Sequence, residues 1–130
     1  MRSRSGALRR ERLATAIRHE LSDLLLREVK DPRLGGVVVT AVELSGDLKS
    51  ARAFFSVVGD AERERQAADG LHQAAGYLRR ELGHRMRLHE PPQLEFKRDL
   101  GFERADRVQR LLDVLDIEPA PPDSEGDDDV

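Results

Sequence analysis

Leu71-His-Gln-Ala-Ala-Gly-Tyr-Leu-Arg-Arg-Glu-Leu-Gly-His-Arg-Met-Arg-Leu88 is the stretch on which the fold turns. Its apolar residues Leu71, Ala75, Leu78, Leu82 and Met86 recur every three or four positions, the spacing that lines one stripe of a helix against a core. On the opposite stripe Gly76, Arg80, Gly83 and Arg87 follow at i, i+4, i+7 and i+11, so residues without side chains alternate with guanidinium groups. A glycine inside a helix costs roughly 1 kcal/mol relative to alanine, and each of the two therefore calls for a reason. One reason is a kink or a close helix contact beneath an ordinary solvated face. The other is that Gly76 breaks the segment into two helices, uncovers N–H groups at the start of the second and lets a polyanion approach. Arg79, Arg80, Arg85 and Arg87 would then add fixed positive charge. That second reading points to nucleic acid.

Working outward toward the N-terminus, residues 1–6 read as a flexible basic lead. A helix is expected from about residue 7 to 29, where Leu13, Ile17, Leu21, Leu24 and Leu25 repeat with helical period and neither Gly nor Pro intervenes. Arg9, Arg10, Arg12 and Arg18 load its N-terminal half, against the helix dipole. An external anion would explain that placement, and so would a plain exposed face. Pro32 restricts Asp31 and ends the helix, with Gly35 and Gly36 in a loop. Arg33 either aims outward to RNA or closes this loop by pairing with Asp31. Residues 37–44 are rich in β-branched side chains, residues 45–49 supply turn chemistry, and residues 51–58 return, which makes an antiparallel hairpin. One face of the second strand would carry Ala51, Ala53, Phe55 and Val57.

Toward the C-terminus, Asp60 is a plausible N-cap for the helix that runs into the opening stretch. Pro91-Pro92 ends that unit, and residues 93–98 alternate, with Leu94 and Phe96 inward in a third strand. Asp99 would cap a last helix whose Phe102, Ala105, Val108, Leu111, Leu112 and Leu115 face the core. Residues 118–130 combine proline with like charges and are expected to stay disordered, because they cannot bury enough surface to offset ordering entropy.

At 130 residues the chain is read as one domain with a modest core. It has no Cys, which excludes disulfides, thiol catalysis and thiolate metal sites and fits a reducing cytoplasm. No apolar run approaches the roughly 20 residues of a membrane span, and no signal-peptide core follows the N-terminal arginines. The net charge of −3 conceals an uneven distribution. Residues 113–130 carry eight acids and no Lys or Arg, which leaves residues 1–112 with 22 basic against 17 acidic side chains. A basic body with an acidic tail suits a nucleic-acid surface. The four histidines form no metal spacing, no cofactor motif occurs, and no nucleophile elbow or phosphate-binding Gly-rich Lys motif is present.

The element order α-β-β-α-kink-α-β-α implies an α+β domain, a three-stranded sheet with helices packed on one face. It resembles the type II KH domain, an RNA-binding fold that usually carries a Gly-x-x-Gly loop between paired helices. Here Ala74-Ala75-Gly76 stands at that place. With Asp31-Pro32-Arg33-Leu34, Val42-Glu-Leu-Ser-Gly-Asp-Leu48, Ala74-Ala-Gly-Tyr-Leu-Arg-Arg-Glu-Leu82, Pro92-Gln-Leu-Glu-Phe96 and Asp99 in this order, the chain resembles the ribosome-binding factor A family over about residues 7–115. His89 stands where an arginine is common in that family, and Gly101 where a serine is common.

The resemblance implies a KH-like RNA-binding domain over residues 7–117, in which Ala74 and Gly76 replace the usual loop. It also implies a non-catalytic, cytoplasmic assembly factor that binds the free 30S ribosomal subunit and its 16S ribosomal RNA late in maturation, assists processing of that RNA and supports growth in the cold. A monomer without cofactor, metal or membrane partner is expected. The RNA-binding candidates are Arg9, Arg10, Arg33, Ala74, Gly76, Arg79, Arg80, Arg85 and Arg87. The alternative is a small RNA-processing enzyme acting directly on precursor RNA.

Overall fold

The computed structural model describes residues 4–101. The chain divides into two compact units between Arg98 and Asp99, and the helices and strands that follow belong to the first. The expected last helix beyond Gly101, and the acidic tail, lie outside the described residues.

The first helix, α1, spans Arg4–Arg27. It begins three residues earlier than the sequence suggests, so Arg4, Ser5 and Gly6 are helical rather than part of a loose lead. Once a helix is nucleated, extending it costs little, and nothing in these residues forbids the helical conformation. Ile17, Leu21 and Leu24 are fully buried along its apolar stripe. The helix stops at Arg27, two residues short of the expected end, and Asp31 instead caps the single 3-10 turn Pro32–Leu34, whose Leu34 plugs into the core.

Strands β1 (Val38–Leu44) and β2 (Ser50–Ser56) pair antiparallel, with a bulge between Val39 and Ala41. In the turn that joins them, the Asp47 carboxylate accepts hydrogen bonds from the Ser45 hydroxyl at 2.7 Å and the Lys49 N–H at 3.0 Å. These bonds hold its pKa below the ordinary carboxylate value, the Ser45 bond most of all. Strand β3 (Gln93–Arg98) lies parallel to β2 and completes a sheet of order β1-β2-β3. Two parallel strands need a long crossover between them. Helix α2, Ala61–Met86, supplies it.

The crossover is one hydrogen-bonded helix of 26 residues, not two. Gly76 sits inside it, so the expected break and the uncovered N–H groups are absent. The N–H groups around residue 76 close i→i−4 bonds, and the packing of the whole apolar stripe outweighs the roughly 1 kcal/mol that one glycine costs. Leu71, Leu78 and Leu82 are fully buried as expected, together with Ala67. Ala74 and Ala75 flank this stripe on opposite sides, and the core takes Ala74.

Both helices share a core with Val39, Ala53, Phe55 and Val57, and Leu94 and Phe96 of β3 pack against it. Ala51 and Ala53 are small and fully buried, and they let the helices approach the sheet closely. Phe55, also fully buried, fills the space beside them. We expect Phe55→Ala to lower unfolding free energy by about 3–5 kcal/mol in urea titration. Leu26→Ala, whose side chain is 79% exposed, should stay within about 0.5 kcal/mol of the parent.

Candidate nucleic-acid interface

The arginines singled out from sequence fall into two groups once their partners are known. Arg85 reaches from α2 to α1, where it meets Asp23 at 2.7 Å, Glu20 at 3.2 Å and Glu28 at 3.8 Å. Asp23 first and Glu20 next hold its guanidinium above the ordinary arginine pKa, and in return Arg85, with Arg27, holds Asp23 below its usual value. Arg85 is therefore a clamp between helices. Arg33 is bound to both Asp31 oxygens, at 2.6 Å for the shortest contact, and to Gln73 at 2.8 Å. Of the two roles open to it, loop closure is the one realised. Arg79 donates its Nε–H to the Pro91 carbonyl at 2.9 Å and fixes the turn after α2.

The second group faces water. Arg80 is exposed, its guanidinium 6.0 Å from the centre of the Tyr77 ring. Arg87 is exposed just past the end of α2. It holds the left-handed conformation, φ 54° and ψ 43°, and its N–H caps the Gly83 and His84 carbonyls. Glycine is the usual occupant of that position, because a side chain there costs roughly 1–2 kcal/mol.

Three glycines lie within α2, and two have an intramolecular reason. A Cβ on Gly70 would come within 2.9 Å of the Leu34 side chain, and one on Gly83 within 3.1 Å of Pro91. Gly76 has no neighbour within 4 Å of the Cβ position and is exposed. Its bare backbone shares an exposed stripe with His72, Gln73, Arg80, His84 and Arg87. The one acid in this half of the helix, Glu81, is partly buried and lies 3.8 Å from His84. The N-terminal half exposes Glu62 and Asp69 beside Arg65, which pairs with Glu62, so net positive charge is concentrated at the other end of the helix. Part of that end answers the helix dipole, which favours cations near a C-terminus.

Ala74 packs against the core and does not stand on the exposed stripe. Arg9 is exposed and Arg10 half-buried beside Val42 and Leu44. They lie on α1 about 20 Å along the helix from Asp23, where Arg85 is anchored, so they do not share the Arg85 clamp. The first turn of α1 has no acidic residue to balance its dipole. Sequence reading missed Arg63, which donates to the carbonyls of Arg33, at 2.7 Å, and of Gly35, and holds the loop onto α2. The signal was Gly59, where any side chain would collide with the Arg63 stem at 2.6 Å.

A family model for ribosome-binding factor A matches residues 9–112. The chain belongs to the ribosome-binding factor A family. It is 46% identical to a ribosome-binding factor A of Syntrophobacter fumaroxidans over 82% of this chain and 93% of that one. It is 45% identical to one of Synechocystis over 90% of each. Among solved structures, a Thermotoga maritima putative ribosome-binding factor A shares 31% identity with a TM-score of 0.65, covering 73% of this chain and 91% of the other. A homology model of the Thermus thermophilus ribosome-binding factor A, fitted into a cryo-electron-microscopy map of its complex with the 30S subunit, shares 27% identity with a TM-score of 0.58 and covers 68% of this chain and 92% of that one. The α+β, KH-like fold class read from the sequence stands, with the crossover helix continuous.

Among the described residues no group of three His, Asp or Glu side chains is placed to hold a metal, and no helix is long and apolar enough to cross a membrane.

Gly76→Ala should raise stability by about 0.5–1 kcal/mol, since a methyl group there meets open space and alanine favours the helix. Gly83→Ala should gain less, because Pro91 crowds that position. Urea titration of both variants reads the difference. A second expectation concerns acid. Asp23 ordinarily titrates at 3.8 and is depressed in the folded chain, so the stability it contributes is present above that value and is lost as pH falls through the folded-state pKa. Asp23→Asn should lower Tm at neutral pH and make its decline below about pH 4 shallower than in the parent. Parallel declines would remove Asp23 from the clamp.

Proposed function

We propose that this protein is a non-catalytic assembly factor that binds the free 30S subunit and contacts its 16S ribosomal RNA while the subunit matures. It acts as a cytoplasmic monomer without a cofactor and supports processing of the RNA by stabilising one conformation rather than by cutting it. The observation that carries the reading is Gly76, an exposed helical glycine with nothing of its own chain near it, flanked by outward-facing Arg80 and Arg87. A glycine on a helix face removes the side chain that would keep a sugar-phosphate backbone away from the rod. The adjacent guanidinium groups supply charge-assisted hydrogen bonds to phosphate.

Arg9 and Arg10 extend the surface onto α1, whose N-terminal end already lacks acidic side chains. Arg33, Arg79 and Arg85 support the interface from behind, by fixing the loop, the turn and the helix pair. Ala74 supports it through the core. The named Thermus relative in its 30S complex agrees with the small subunit as target, as does membership of the family.

The joint variant Arg80→Glu, Arg87→Glu should keep its thermal midpoint and lose at least tenfold in co-sedimentation with free small subunits. Its dependence on salt should also flatten, by about 0.7 in log–log slope for each phosphate contact removed from single-stranded RNA. Unchanged binding would place the interface elsewhere. Arg85→Glu should instead lower the thermal midpoint, because it sets four carboxylates of the clamp against one another. Purified protein should leave isolated precursor RNA intact, and turnover there would favour the enzyme reading.

A further inference from the structure

We propose that the groove between the C-terminal end of α1, the loop over residues 31–36 and the start of β1 docks a short aliphatic segment bearing carboxylates, contributed by a protein of the small subunit. The target particle is taken from the proposed function above. The groove itself is a separate surface.

The groove has a volume of about 720 Å³ and is walled by Leu25, Leu26, Val29, Val37 and Val38. Leu26 is 79% exposed and Val38 54%, although both are large aliphatic side chains at the ends of regular elements. Such residues standing together in a concave surface mark an interaction site rather than scattered exposure. The wall opposite α1 is preformed. Asp31 and Gln73 hold Arg33, Arg63 holds the carbonyls of Arg33 and Gly35, and Leu34 is seated against Gly70 of α2. A loop tied at so many points loses little freedom when something docks against it.

Charge then selects the occupant. Two charged residues line the groove, Lys30 and Asp31. Asp31 is already taken by Arg33, whose hydrogen bonds depress its pKa. Lys30 is exposed and has no ion pair among the described residues. The unmatched charge is thus one ammonium beside an aliphatic floor, which fits a carboxylate next to Leu, Ile or Val. RNA fits poorly, because no aromatic ring lines the groove for a base to stack on and a single cation is a weak phosphate track. A second copy of this chain fits poorly as well. Two exposed aliphatic side chains fall far short of the roughly 800 Å² per partner that a stable dimer buries.

The test places the photoreactive residue p-benzoylphenylalanine at position 26 of the full chain, binds it to purified free small subunits and maps the crosslinks by mass spectrometry. The expected result, read in the fraction that co-sediments with the subunit, is a dominant crosslink to a ribosomal protein segment with Asp or Glu within a few residues of aliphatic side chains. Adding Lys30→Glu should reduce that crosslink at least fivefold, and Lys30→Arg should preserve it. Co-sedimentation with crosslinks only to RNA, to a second copy or within the chain itself, or with none, would overturn the inference and leave the ribosomal reading intact. Failure of the parent chain to co-sediment would overturn both.

Discussion

Leu71, Leu78 and Leu82 of the crossover helix are buried in one core with Ala53 and Phe55 of the central strand, and that contact fixes the rotation of α2 about its axis. Rotation is what matters here. Turned by about half a turn, the helix would point Arg80 at the core instead of at water. With the leucines inward, the exposed line of the helix runs through His72, Gly76, Arg80 and His84 to Arg87. Burying three leucine side chains contributes about 1.5–3 kcal/mol each. That is ample against the roughly 1 kcal/mol that Gly76 costs the helix, so the rod stays whole.

The same rotation assigns the remaining arginines to the interior architecture. Arg85 meets two carboxylates of α1 and that of Glu28 just past its end, and Arg33 and Arg63 tie the loop after α1 to α2. Solvent-accessible ion pairs of this kind add little stability individually. Their value is geometric, since each has one end on a different element and together they set where the loop and the two helices stand relative to the sheet. A rigid frame lets the exposed cations present a fixed pattern of charge, which suits recognition of folded RNA by shape.

Much of this was legible in the residues themselves. Helical period gave Ile17, Leu21 and Leu24 on α1, and alternation gave Ala51, Ala53 and Phe55 on β2 with Val57 just past its end, all of which are buried. The Asp60 cap and the span of β3 were readable from local chemistry, which does not depend on the rest of the fold. What could not be read was which partner an arginine finds across the fold. Arg85 and Asp23 are 62 positions apart, and nothing in the sequence near either one announces the other. The break at Gly76 was misjudged for a related reason. A helix break at Gly76 follows from local propensity alone, whereas tertiary packing decides the matter, and the tight approaches that explain Gly70 and Gly83 come from Leu34 and Pro91, residues outside the helix.

The central claim is that the face around Gly76 meets RNA while the clamped arginines do not. Phenylglyoxal modification of the full chain, free and bound to the small subunit, with site-by-site readout by mass spectrometry, addresses it directly. Arg80 and Arg87 should react in the free protein and become protected on the subunit, and Arg33 and Arg85 should react slowly in both states. Equal reactivity of Arg80 and Arg87 in the free and bound forms would contradict the account.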